Sequence, residues 1–199
     1  MAKSLTPTLK IIASVFVALL FLLLSAFFYI ESKRQPYEIP STKGWQTGDV
    51  FFSVGNSWKS EFVRFAGGNS KDVSHCGIVL MAGSKAMLIH MSTEQGHIVC
   101  ESPEDYGRIN DASRIIIRRP RTIPDTSMLK IRLNSLLAER KPFDFKFDVQ
   151  DDSKYYCSEL IVKQVFQDSS REYKTLIRKE FVYPQDIYNI LIHTSQRQD

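Results

Sequence analysis

The chain has 199 residues, 43% of them hydrophobic, enough for one domain with a real core. Its net charge of +4 gathers at the N-terminus, where Lys3, Lys10, Lys33 and Arg34 stand against Glu31 and leave residues 35–199 at only +1. No basic stripe interleaved with aromatics follows, which argues against nucleic acid as a partner.

In chain order, the first feature is IIASVFVALLFLLLSAFFYI over residues 11–30, which contains no charge. Twenty helical residues rise about 30 Å, the thickness of a bilayer core. A cleaved signal peptide is the competing reading, but Ser25-Ala26 is a poor cleavage site and no lipobox cysteine lies near residue 26. The expectation is a tail and transmembrane signal anchor over 1–34, a single pass that places the following domain on the periplasmic or extracytoplasmic side. Pro36, Pro40, Ser41 and Gly44 mark 35–44 as a linker, and 45–199 as the domain.

Within that domain, Gly48-Asp49-Val50 turns into a strand, with Asp49 bonding local backbone N–H groups. A short helix is predicted over 57–66, then strands over 74–81 and 86–91 around Ala82-Gly83-Ser84-Lys85. Strands over 97–100 and 114–119 follow. Leu129, Leu133, Leu136 and Leu137 share a face of a helix opened by Pro124 and Asp125. Phe143, Phe145, Phe147 and Val149 alternate along an extended segment, with Asp144 and Asp148 on the solvated face. The phenylalanines read as core or as the lining of a lipid groove. The polar run 150–154 starts a helix to about Gln167 whose buried face holds Leu160, Ile161 and Val165. Residues 171–179 read as charged surface, and 181–187 as a strand entering a last helix. The sum is an α+β fold, an antiparallel sheet packed on helices.

Three cysteines fit one working thiol and two others; Cys76 and Cys100 read as small buried side chains, able to pair if oxidised. Cys157 falls in or near the first turn of its helix, where the partial positive charge favours a thiolate. His75 lies on a strand 82 residues upstream. If Gly83-Ser84 is a two-residue turn, Gly77 faces His90, and His75 and His90 become diagonal neighbours on one face, about 7–8 Å apart. The chemistry then assigns attack on a carbonyl to Cys157, proton transfer to His75, and orientation of the imidazole to His90. Glu94 and Glu101 are spare carboxylates expected at the surface. An oxyanion donor besides the Cys157 N–H is needed, and Tyr156 is the candidate, against a somewhat more natural place in the core. His75, His90 and Cys157 also make a possible zinc set, though not at a recognised spacing. No cofactor is expected.

Gly48-Asp49-Val50, Ser74-His75-Cys76-Gly77-Ile78-Val79, Phe143-Asp144-Phe145, Tyr155-Tyr156-Cys157-Ser158-Glu159-Leu160 and Pro184-Gln185-Asp186 together resemble the permuted NlpC-like papain-fold cysteine hydrolases, the YiiX/YebB-like group in particular. The resemblance covers about residues 45–190 and implies a circularly permuted papain-like domain, which accounts for histidine preceding cysteine. Members commonly carry Glu where this chain has His90, and a third-position histidine is similar to the lecithin–retinol acyltransferase branch. That branch's Asn-Cys-Glu-His motif is absent. The resemblance implies hydrolysis or transfer at an amide, ester or thioester, with a peptide, cell-wall or lipid acyl substrate. The alternatives are a lipid acyltransferase or phospholipase-like enzyme, and a non-catalytic binding module at the membrane surface.

Overall fold

The structure is a computed structural model that describes residues 7–32, 36–67, 73–122, 125–166 and 171–195. It divides into two units, residues 1–36 and 37–199. In the first, α1 (Pro7–Ser32) is a continuous helix of 26 residues where the sequence predicts the membrane span. Among the described residues, however, no helix is long and apolar enough to cross a membrane. The expected transmembrane helix is therefore not found among the described residues.

The second unit is built on five antiparallel strands in the order β4-β3-β2-β1-β5: β1 (Val50–Gly55), β2 (His75–Ala82), β3 (Lys85–Ser92), β4 (His97–Glu101) and β5 (Ala112–Arg118). Gly83, at φ 63°, supplies the left-handed first position of the two-residue β2–β3 turn. That turn fixes the register Ile78↔Ile89, as the sequence predicts. Period-two alternation then sends each strand's side chains to opposite faces. Val50, Phe52, Cys76, Ile78, Ile89, Met91 and Ile98 form the main core with α4 (Thr126–Ala138), α5 (Cys157–Gln164) and α7 (Pro184–Ser195). Phe51, Val79 and Leu88 form a smaller core with Tyr106 of α3 (Pro103–Ile109). Tyr37 and Glu38, inside the expected linker, already pack on this unit, through Tyr37 Oη to the Pro103 carbonyl (2.7 Å) and Glu38 N–H to the Ser113 carbonyl.

Short helices α2 (Trp58–Ala66) and α6 (Arg171–Leu176) complete the set. The Ser57 hydroxyl caps α2 by accepting from Ser60 N–H. The helix α3 was not legible as a helix in the sequence; Ser102 caps it and Pro103 opens it, a strong local start hidden by its brevity. Residues 171–176 are helical rather than plain charged surface, and no strand precedes α7. The segment 143–149 is not an extended alternating strand. Phe143 bridges Tyr155, but Phe147 has φ 58°, which breaks the alternation. Phe143 and Val149 are buried while Phe145 is 64% exposed. Asp144, expected in solvent, is buried instead, and its carboxylate accepts from the N–H groups of Lys146 (2.8 Å) and Asp148 (2.6 Å) that the turn leaves unpaired.

Candidate active site

The helix α5 starts at Cys157 itself, later than the polar run 150–154 predicts, because residues 151–153 are taken up in a local turn. Tyr156 is the cap residue, and Glu159 Oε2 accepts the Tyr156 N–H across 3.3 Å. The thiol therefore stands at the first helical residue, against β2 and β3, on which α5 packs.

Two neighbours act on that thiol. A hydrogen bond from Cys76 is the largest influence on Cys157 and, against the effect of burial, holds it well below the ordinary thiol range; the charge and hydrogen bond of the His75 imidazole act the same way. Cys76 moves oppositely, pushed up by burial and then by its bond to Cys157, so it remains a protonated donor. Both sulfurs lie 3.8 Å from Ser158 Oγ. Cys76 and Cys100 are not paired with each other: all three cysteines are free, Cys76 buried and Cys100 exposed, contrary to the reading of both as buried. The Cys76 contact is invisible in the sequence, because it arises from α5 crossing the face of β2 opposite to His75.

His75 and His90 meet as the predicted register requires. His75 Nε2 lies 3.1 Å from His90 Nδ1, with the rings perpendicular. His90 is fully buried, and burial lowers its pKa, so it is neutral. A Cβ at Gly77 would lie 2.4 Å from both the Ile89 carbonyl and the Phe51 ring. The absence of a side chain admits Phe51, whose ring packs edge-on to His90. Tyr106 lies over both imidazoles, at centroid distances of 5.0 Å from His90 and 6.4 Å from His75, with its hydroxyl 2.6 Å from Ser53 Oγ. These aromatics seal the imidazoles from water on one side.

The carboxylates divide. Glu94 is exposed as expected. Glu101 is buried, not at the surface, and its Oε2 lies 3.2 Å from His90 Nε2. Extending the hairpin arithmetic one strand further exposes this contact: Val99 faces His90, so Glu101 is diagonal to it on the same face. Tyr156 occupies the core, stacked on Phe181, with its hydroxyl accepting the Val182 N–H at 3.2 Å. Asp49 is buried, accepting from Gln46 N–H as expected and from Arg119 on both oxygens (2.7 and 2.8 Å), a bidentate partner that the sequence did not reveal.

A cysteine at the start of a helix packed on an antiparallel sheet, with a histidine on the sheet, defines a papain-like cysteine hydrolase. The chain belongs to the family of permuted papain-like amidase enzymes of the YaeF/YiiX type, C92, whose model matches residues 44–193. Among solved structures it is similar to the metalloprotein yiiX from Escherichia coli O157:H7, at 20% identity and a TM-score of 0.55, over 72% of this chain and 92% of that one. That likeness is one of fold. No curated protein sequence matches. The word metalloprotein describes the neighbour; among the described residues here, no group of three or more His, Cys, Asp or Glu side chains is arranged to hold a metal ion, the His75, His90 and Cys157 set included.

Proposed function

We propose that this chain is a membrane-anchored cysteine hydrolase that cleaves an acyl bond, in the first place an amide, through Cys157, His75 and His90. The observation that carries the reading is the 3.1 Å contact between the two imidazoles beside a thiol held low at a helix start. Cys157 attacks the carbonyl as a thiolate, and His75 holds its proton and returns it to the leaving group. His90 orients His75. The Cys157 N–H at the helix N-terminus is the nearest backbone donor for the oxyanion; Tyr156 is the second candidate, though its hydroxyl is already engaged with Val182 in the core.

A lipid acyl substrate is the second reading, favoured by one observation. The exposed Phe145 begins a chain of ring contacts through Phe143 and Phe147 to Tyr156, the residue before Cys157. The exposed Phe145 and Phe147 at the outer end of that chain suit an acyl chain as well as an apolar peptide. The uncharged run 11–30 supports the anchor, with the domain on the extracytoplasmic face.

The deciding experiment is turnover of peptide-amide and lipid-ester panels by wild type, Cys157→Ala and His75→Ala at equal folded concentration. Both variants are expected to lose activity by at least about 10³-fold, and His90→Ala to lose less. Undiminished turnover by Cys157→Ala sinks the proposal, and the panel that responds selects between amide and ester.

A further inference from the structure

Behind His90, on the side away from His75, lies a carboxylate that the three-residue set leaves without a task. Glu101 Oε2 is 3.2 Å from His90 Nε2 and 3.0 Å from Asn110 Nδ2. The Asn110 amide donates to the carboxylate and to the Tyr106 carbonyl (3.1 Å), which fixes it as a donor at that point. The groups thus form a line from thiol to carboxylate: Cys157, His75, His90, Glu101.

The polarity of that line follows from hydrogen-bond inventory. An ionised carboxylate only accepts, so His90 Nε2 must carry a hydrogen. A neutral imidazole has one N–H and one bare nitrogen, so His90 Nδ1 is bare. It then accepts from His75 Nε2–H across the 3.1 Å contact. That leaves His75 Nδ1 bare, free to take the thiol proton. The opposite polarity puts hydrogens on His90 Nδ1 and His75 Nδ1 and leaves no bare ring nitrogen of His75 to take the thiol proton.

We propose that Glu101 is a positioning residue that fixes the tautomers of His90 and, through it, of His75, so that His75 presents its bare nitrogen to Cys157. The inference rests on the reading of Cys157 and His75 as nucleophile and base. In the step it governs, the Cys157 S–H bond breaks, a His75 Nδ1–H bond forms and the electron pair stays on sulfur. No proton moves at Glu101; its negative charge faces the imidazolium through His90. The other groups facing this line are Tyr106, whose hydroxyl is bonded to Ser53; Asp105, turned to Ser102 and Arg108; Cys76 and Cys100; and the Met91 backbone, which also bonds the His90 ring. Of the side chains among them, none bonds His90 Nε2.

The test uses the full chain in detergent, alkylated by iodoacetamide across pH with mass mapping of the modified cysteine, and ring-nitrogen NMR of ¹⁵N-histidine protein. Wild type is expected to show Nε2–H on both His75 and His90. Glu101→Leu, which has no acceptor, is expected to lose that pattern and to move the midpoint of the Cys157 pH–rate curve upward by at least about one pH unit, a tenfold change in the ionisation constant. Glu101→Gln keeps an acceptor without the charge, and should retain the tautomers with a smaller shift. Nδ1–H on His90 in wild type overturns the inference even if Glu101→Leu fails to fold. Unchanged spectra and rates in a folded Glu101→Leu overturn it as well. A wild-type Cys157 that alkylates no faster than Cys100 overturns the underlying reading instead, so the two failures are distinct.

Discussion

Glu159 offers a test of the helix start that needs no substrate. Its side chain is fully buried two residues beyond Cys157; Oε2 accepts the Tyr156 N–H, and among the described residues Oε1 has no hydrogen-bond partner. Burial pushes its pKa from 4.5 to about 8, only partly offset by the Tyr156 bond. The folded chain therefore holds this proton up to about pH 8, while the unfolded chain releases it near 4.5. Between those values folding takes up a proton, so stability falls as pH rises, and it is level in this respect on either side. At about 1.36 kcal/mol per pH unit the full fall is on the order of 5 kcal/mol. Glu159→Gln keeps an acceptor for the Tyr156 N–H but cannot titrate, so any cost of its buried amide is the same at every pH. Urea unfolding of both proteins at intervals from about pH 4.5 to 8.5 isolates the effect as a difference. Wild type is expected to lose stability relative to Glu159→Gln across that range. A difference that stays constant with pH refutes the argument that burial keeps this carboxyl protonated.

Two further outcomes follow from the same region and from α1. Cys76→Ala removes the donor that most stabilises the Cys157 thiolate, so the midpoint of the Cys157 alkylation pH–rate curve should rise by about one pH unit, about the worth of one hydrogen bond to a charged group; an unchanged pH–rate curve would count against the thiol pair. Full-length chain should stay with the membrane pellet after alkaline carbonate extraction, and replacing Leu19 and Leu22 with arginine, at about 2.5–3.5 kcal/mol each at a helix centre, should release it; extraction of the native chain would remove the anchor from the proposal.

How far the sequence reaches is clearest at β2 and β3. A two-residue turn at Gly83-Ser84 and the period of two suffice to place His75 and His90 on one face, and the structure has that register. The same arithmetic carried across β4 reaches Glu101; it stopped one strand short because glutamate is ordinarily exposed, and nothing local marks this one as buried. Phe145 and Asp144 fail for a different reason. Alternation reads as a strand only while φ stays extended, and Phe147 leaves that region. The turn it makes puts Asp144 inside, where it satisfies backbone N–H groups, and Phe145 outside.

The sequence by itself determines the local chemistry. It supplies a thiol beside a helix start, a histidine on a strand, the hairpin that pairs the histidines, and the order of elements that marks the permuted family. These depend on spacing within one or two neighbouring elements, and local rules govern such spacing. Tertiary structure alone decides what stands on the thiol's other side and that the glutamate behind His90 is buried and held by Asn110. Cys76 is 81 residues from Cys157 in sequence and comes to it only because α5 packs over β2. The Glu101–Asn110 pair stays at His90 because β4 pairs with β3 while α3 packs on that face of the sheet. Contacts between elements far apart in sequence depend on how whole faces bury one another, and no periodicity within a single segment records that.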